Sequence, residues 1–475
     1  MSLNTKKLII FVAIGLVCSV GFVTFGEAQQ LLLSDNKIIH SSGNIIANET
    51  TQNYTVAEPS LNISSSPNPT SIITAPSIQA MSSPTPAPTK LTENHIALQN
   101  NVDSTVTAGG ELPVDSNLTV SSYGLINLVS KGLNLESNMT IRNLIIDATN
   151  LGERNAVIIR PGVENVLIEN VTILNHFAES AALLSKGSNV TLRNINFVNV
   201  SNTYPIHVAS SHTIVEGCFS KDASINALIF IDGGIEDVHI NCNLAINRPL
   251  LNAWQITAPS HDIWVVNNTL LNFPNPTYGI IFLGTTGIPQ QGLFSNITIT
   301  GNKIQAGELA FNAIAIYGFT TNVLVENNTV DQTLSYHNAI GISSGINVVV
   351  NRNTVFGCIE AGEGGIEVES NPVHNRNTGF SDNVNVTNNI VYNSNWGIYV
   401  RTYAINHPNW NGTLLLSKNI LIENNTVSNC YIGINLLYGE DIIVRNNYIS
   451  AKTMPILVDS LNVLDYTVKD NVNIP

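Results

Sequence analysis

Cysteine, positive charge and helical patterning are all scarce in this 475-residue chain. The five cysteines, Cys18, Cys218, Cys242, Cys358 and Cys430, contain no Cys-x-x-Cys pair, which removes the common zinc and redox arrangements. Cys218 and Cys242 lie one repeat apart, so a bridge between neighbouring repeats is geometrically open. Lys and Arg number 20 against 34 Asp and Glu, giving a net charge of −14 with only 11% of residues charged. Such a chain has no basic stripe for a nucleic-acid backbone, and nucleic acid is excluded as a partner. A polyanion gripped by many cations is disfavoured too; a local cluster or a divalent cation such as calcium is what remains to hold one.

What the chain has in abundance is repetition. A phrase of alternating apolar residues, an asparagine or a stand-in, and a further apolar pair recurs twelve times, starting at 138, 165, 189, 212, 237, 262, 296, 322, 347, 383, 419 and 441. Asn165-Val-Leu-Ile-Glu-Asn170-Val-Thr-Ile173 and Asn322-Val-Leu-Val-Glu-Asn327-Asn-Thr-Val330 are near copies. The period predicts a solenoid. Val, Ile and Leu fall on every second residue, which is strand spacing, and a second alternation follows in most repeats, as in Gly365-Ile-Glu-Val368 and Gly397-Ile-Tyr-Val400. With no space for a helix and no Leu-x-x-Leu-x-Leu consensus, the expectation is an all-β coil of short strands.

Aligning the phrases puts Asn243, Asn268, Asn302, Asn328, Asn353, Asn389, Asn425 and Asn447 at one position, with Leu144, Val171, Ile195 and Cys218 there in the first four repeats. Stacked rungs about 4.8 Å apart would let these amides bond along the axis and satisfy one another. The expected role is structural, at a turn whose left-handed backbone asparagine tolerates.

On these motifs the chain resembles the right-handed parallel β-helix proteins of the pectate-lyase-like superfamily, over residues 112 to 475. The resemblance implies a single-stranded coil of about twelve or more turns. It implies no one activity, because lyases, hydrolases, epimerases, tailspikes and adhesins share the coil. The catalytic runs of the polygalacturonase-like, pectate-lyase and epimerase members are absent; Tyr278-Gly-Ile280 departs from the epimerase run after three residues.

The N-terminus points to export. Lys6 and Lys7 precede an apolar run from Leu8 to Phe25 and then Gly26-Glu-Ala28, so residues 1–28 are expected to be a signal peptide or an uncleaved membrane anchor. Residues 29–95, rich in Ser, Thr, Pro and Asn as in Ser82-Ser-Pro-Thr-Pro-Ala-Pro-Thr89, are expected to form a disordered stalk ahead of a β-helix domain at 96–475. A protein secreted, or tethered to the outer face of the membrane through that segment alone, follows. Asn-x-Ser/Thr acceptors in the stalk (Asn48, Asn53, Asn62) and at Asn411 suit glycosylation; Asn170, Asn267, Asn327 and Asn424 stand where the coil needs an asparagine anyway.

Function is sought where the period breaks. Most intervals are 22 to 27 residues, but those from 262, 347 and 383 are 34, 36 and 36. Insertions in a solenoid emerge as loops, often on the binding face. With Ile366, Val368, Ile398 and Val400 inward, Glu367, Glu369, Tyr399 and Arg401 should point outward on adjacent rungs as an exposed cluster. Glu360, Glu363, His374, Arg376, Tyr403, His407 and Trp410 come from the flanking loops, and Tyr317 from the same outward row. Paired acids serve glycosidic cleavage, and Glu with Tyr, Arg or a divalent cation suits β-elimination of a uronate. Glu367, Glu369, Tyr399 and Arg401 are therefore the catalytic candidates, and Tyr317, His374, Arg376, Tyr403, His407 and Trp410 the substrate-binding ones. Two classes stay open: a surface protein binding carbohydrate or surface partners, and a polysaccharide lyase or glycoside hydrolase using the same cleft. Asp232, Asp331 with His337, and Arg160 above Lys186 stand alone and are expected to be solvated.

Overall fold

The computed structural model describes residues 105–108, 119–201, 203–255, 260–273, 281–285, 294–306, 312–334, 337–357, 364–371, 379–402 and 415–474. The segments 1–28 and 29–95 lie outside these residues. Thirty-six strands and no helix occur among them. A typical repeat supplies three strands, such as Glu236–Asn241, Leu244–Ile246 and Leu251–Gln255. Each pairs in parallel with its counterpart one repeat later, His261–Val266, Thr269–Phe273 and Ile281–Thr285. Repetition of this step builds three stacks of strands, here the first, second and third sheets in chain order. The product is the expected all-β parallel solenoid, of about eleven turns.

The interior follows from period two. Val348, Val350, Val384, Val386, Ile420 and Ile422 stack rung on rung inside the first sheet, and Ile366, Val368, Ile398, Val400, Ile434 and Leu436 do so inside the third. Each such side chain stabilises the coil by about 1.5–3 kcal/mol relative to exposure.

The asparagine column is a continuous buried ladder. Asn243 Nδ2 donates to Asn268 Oδ1 at 3.0 Å, and the same bond recurs from Asn353 to Asn389 at 3.0 Å and from Asn425 to Asn447 at 2.9 Å. It runs one rung further than the alignment showed, to Asn471. Each amide is used fully: Asn353 Nδ2 also donates to the Val325 carbonyl, and Asn353 Oδ1 also accepts the Asn328 backbone N–H. In the first repeats the position is filled by Leu144, Val171, Ile195 and Cys218, all buried.

One expectation is corrected. The ladder asparagines do not carry the left-handed backbone; the residue before each does. Cys242, Asn267, Asn327, Arg352, Asn388, Asn424 and Asn446 have φ between 54° and 56°, and Gly301 at 67° takes the same place. A left-handed residue turns the chain, and its successor can then aim its amide inward. Asn170, Asn267, Asn327 and Asn424, within the glycosylation-type triplets, all occupy this exposed turn position, as a structural role requires. The same turn geometry separates Cys218 from Cys242: the first is inside the coil, the second sits half-exposed at the left-handed position, and both are free thiols.

Asn353→Leu should lower stability by about 3 kcal/mol in urea unfolding, because the Asn328 N–H and the Val325 carbonyl lose their partner in the interior. Asn385→Leu, on the outer face of the first sheet, should change it by less than about 0.5 kcal/mol. Equal losses would mean that the ladder is not buried. Burial pushes the Cys218 thiol up to about 12 and Cys430 to about 11, so both should resist a thiol reagent at neutral pH until the coil unfolds.

Candidate functional site

The four central candidates meet on the third sheet, on the rungs formed by Ile366–Ser370 and Trp396–Thr402. Register places Glu367 opposite Tyr399 and Glu369 opposite Arg401. Arg401 Nε lies 2.6 Å from Glu367 Oε1 and 3.4 Å from Glu369 Oε2, so one guanidinium reaches both acids. Its carbon sits 5.4 Å from the centroid of the Tyr399 ring, in cation–π range.

The expectation that these residues are exposed is wrong for three of the four; Arg401 is half-buried. The side chains of Glu367 and Glu369 are only 4% and 2% exposed, and Tyr399 is fully buried. All point out of the coil, as period two requires, but outward is not the same as wet. Asn338, in the turn before the next strand back, closes over them: its amide donates to Glu367 Oε2 at 2.7 Å, and its carbonyl oxygen accepts from the Tyr399 hydroxyl at 2.6 Å and from the Gly364 N–H at 2.8 Å. Glycine is required at two of these approaches. A Cβ on Gly364 would stand 2.1 Å from the Trp396 carbonyl oxygen and 2.9 Å from the Tyr399 ring, and one on Gly341 would stand 2.3 Å from the Asn312 amide.

The buried group also lies at the feet of the inserts. Gly364 follows residues 358–363, Asn371 precedes 372–378, and Thr402 precedes 403–414. Side chains tie these feet together: the Ser381 N–H donates to Ser370 Oγ at 3.1 Å, Ser370 and Ser417 hydroxyls meet at 3.1 Å, Asn371 N–H donates to Ser344 Oγ at 3.1 Å, and Thr402 Oγ1 donates to the Leu415 carbonyl at 2.6 Å. Ser381 Oγ donates in turn to the backbone carbonyl of Glu369 at 2.7 Å.

Tyr317 stands in line with Ser343 and then Glu369, two rungs from the acids, and is half-buried. Glu360, Glu363, His374, Arg376, Tyr403, His407 and Trp410 lie outside the described residues. Asn338, Asn312 and Asn371 were missed by sequence reasoning. A signal existed: Asn-Ala precedes the third-sheet strand at Asn155, Asn226, Asn312 and Asn338, an amide repeatedly placed at the strand's entrance. No group of three His, Cys, Asp or Glu among the described residues is arranged to hold a metal ion; between Glu367 and Glu369 the cation is Arg401.

No protein-family model matches the chain, and no curated protein does. Solved structures similar to it include a PL6 alginate lyase in complex with a trisaccharide (13% identity, 71% of this chain and 81% of that one, TM-score 0.43). Tailspike protein 3 of bacteriophage CBA120 is another (10% identity, 75% and 56%, TM-score 0.42), and this chain spans little over half of its length. The surface adhesin PfbA of Streptococcus pneumoniae is a third (13% identity, 74% and 84%, TM-score 0.37). Likenesses of this size concern the coil and leave activity to the residues.

Arg401→Ala should destabilise the protein by about 3 kcal/mol, because it strands two buried carboxylates. Arg401→Ala in an exposed pair would cost less than about 1 kcal/mol. A thermal or urea denaturation series on this variant decides between the two situations.

Proposed function

We propose that this is an exported protein, secreted or held at the outer membrane face by its N-terminal segment, that binds a polysaccharide or surface glycan on the third sheet where the inserts stand. The observation that carries this reading is the polar group at the inserts' feet. Burying two carboxylates costs several kcal/mol per ion before the half-buried Arg401 guanidinium returns it. Other rungs of the same sheet do without such a group, with Ala315 and Gly341 at the equivalent place. The coil has no need of it; the inserts do. A loop whose two ends are fixed presents its side chains with less entropy to lose on binding, and these loops carry His374, Arg376, Tyr403, His407 and Trp410. In this reading Arg401 is the cation at the acid pair, where the sequence left room for calcium.

A lyase or glycoside hydrolase acting through Glu367, Glu369, Tyr399 and Arg401 is the second reading. Two carboxylates, a phenol and a guanidinium in mutual contact favour it. Their burial weighs against it, since a general acid or base must come within hydrogen-bond reach of its substrate.

Affinity electrophoresis of the purified protein against neutral and uronate polysaccharides, with absorbance and reducing-end assays on the same mixtures, tests both. Retention by at least one polysaccharide, lost in Tyr403→Ala/Trp410→Ala without a change in melting temperature, is the expected result. Unsaturated products or new reducing ends would move the assignment to the enzyme; no retention by any polysaccharide would end the binding reading.

A further inference from the structure

The same sheet carries a second cluster, nearer the N-terminal end, built from Tyr204, His207, Phe230 and Asn252, which sequence reasoning passed over, and from Asp232, which was expected to stand alone and instead has His207 beside it. Tyr204 precedes the third-sheet strand Ile206–Val208, Phe230 lies in Ile229–Ile231, and Asn252 in Leu251–Gln255, on three successive rungs. His207 pairs in register with Phe230, and Phe230 with Asn252, so all three share the outward column. The Tyr204 and Phe230 rings meet at 4.7 Å with 38° between their planes, and His207 stands edge-on to Phe230 at 5.0 Å. Together they make an angled aromatic cradle, half-buried at its base.

Polar groups rim it. Asp232 is exposed, and the His207 ring beside it, with Nε2 3.5 Å from the carboxylate, holds its carboxyl below the usual range. Asp232 therefore presents an ionised acceptor on the outer side of the cradle. Burial pushes the Tyr204 phenol up, opposed by its contact with the Asn252 amide, which keeps a neutral donor and acceptor pair on the other side. Lys186 stands in line with Asp232 two rungs away.

Resting on the glycan-binding reading above, we infer that Tyr204, His207, Phe230, Asp232 and Asn252 form a separate subsite for one uncharged pyranose unit of the bound chain. A sugar ring has an apolar face, which the cradle covers, and a rim of hydroxyls, which donate to the Asp232 carboxylate; the Asn252 amide, engaged with the Tyr204 phenol, holds that aromatic ring in place. Charge-assisted acceptance by a carboxylate is the stronger kind of hydrogen bond. A uronate would set its own carboxylate against Asp232 on a protein whose net charge is already −14, and like charges in contact oppose binding. Along the column, five strand pairings separate Phe230 from Glu367, or about 24 Å. One extended oligosaccharide can thus reach from the cradle to the inserts.

The test is isothermal titration of the purified protein with a neutral gluco- or manno-oligosaccharide panel and with an oligouronate of equal length. Phe230→Ala and Asp232→Asn should each weaken the neutral ligand about tenfold, while Phe230→Tyr retains binding. Asp232→Lys should lose the neutral ligand and gain affinity for the oligouronate. Asp232 is exposed, so its variants keep the parent's melting temperature and circular dichroism. If Asp232→Asn and Phe230→Ala bind as the parent does while Tyr403→Ala/Trp410→Ala loses the ligand, the subsite is wrong and the glycan-binding reading stands. A parent that prefers the oligouronate also overturns the subsite. A parent that binds no oligosaccharide overturns both.

Discussion

A parallel coil must turn sharply three times per rung without leaving backbone groups bare inside it, and the buried asparagine ladder is how this chain meets that constraint. An amide within the ladder donates to a carbonyl and accepts a backbone N–H from the rung below, and donates to the next amide on the rung above, as Asn353 does. Because every member completes its neighbour, the position is all or nothing over a stretch of rungs. Replacing all partners with apolar groups can be nearly neutral, whereas replacing one is costly. The chain uses both solutions, apolar from Leu144 to Cys218 and polar from Asn243 to Asn471, and changes from one to the other once, where the Cys218 N–H donates to Asn243 Oδ1 at 2.8 Å.

A rigid coil gains little from buried charge, and among the described residues, besides Arg248, which bonds Ser220 and the Thr203 carbonyl, this chain buries charge as an acid pair with its own cation at one place on the third sheet. The polar group around Asn338, Glu367, Glu369, Tyr399 and Arg401 therefore marks a place where the coil serves something other than itself. Its members sit at the entrances and exits of inserted segments, and the serine and threonine side chains nearby lash those entrances together. The aromatic cradle at Tyr204 and Phe230 is a different kind of departure: outward rings left half-buried, with the exposed Asp232 carboxylate beside them, on the same face. Both depend on the stacked turn position, apolar at Ile195 and Cys218 on the cradle's first two rungs and amide from Asn243 onward, which keeps successive rungs in register so that residues distant in sequence stand in one column.

The coil was legible because period two and the repeat interval are written into every phrase. The turn chemistry was misassigned by one residue, since Asn267-Asn268, Asn327-Asn328, Asn388-Asn389 and Asn424-Asn425 place the same residue type in two different roles. Substitutions within the repeats separate them: the first position accepts Gly217, Gly301 and Arg352, which suits a left-handed exposed turn, and the second accepts Leu144, Val171 and Ile195, which suits the core. The acids at Glu367 and Glu369 were found, with their neighbours Tyr399 and Arg401, because alternation and register specify direction. Their burial was not legible. It depends on Asn338 folding back from a preceding turn to meet Tyr399, 61 residues on, and on Gly364 admitting the Tyr399 ring, contacts that no local pattern encodes.

The central claim, that the buried polar group fixes the inserts to the coil, is tested most directly by amide hydrogen exchange in the parent and in Asn338→Ala. The amides of Gly364 and Ser381, bonded to side chains of this region, should exchange slowly in the parent, along with the ladder amides of Asn328 and Asn353. In Asn338→Ala, exchange at Gly364 should accelerate while the ladder amides keep their protection. Rapid exchange at Gly364 and Ser381 in the parent itself, or a variant in which Gly364 stays as protected as before, would contradict it.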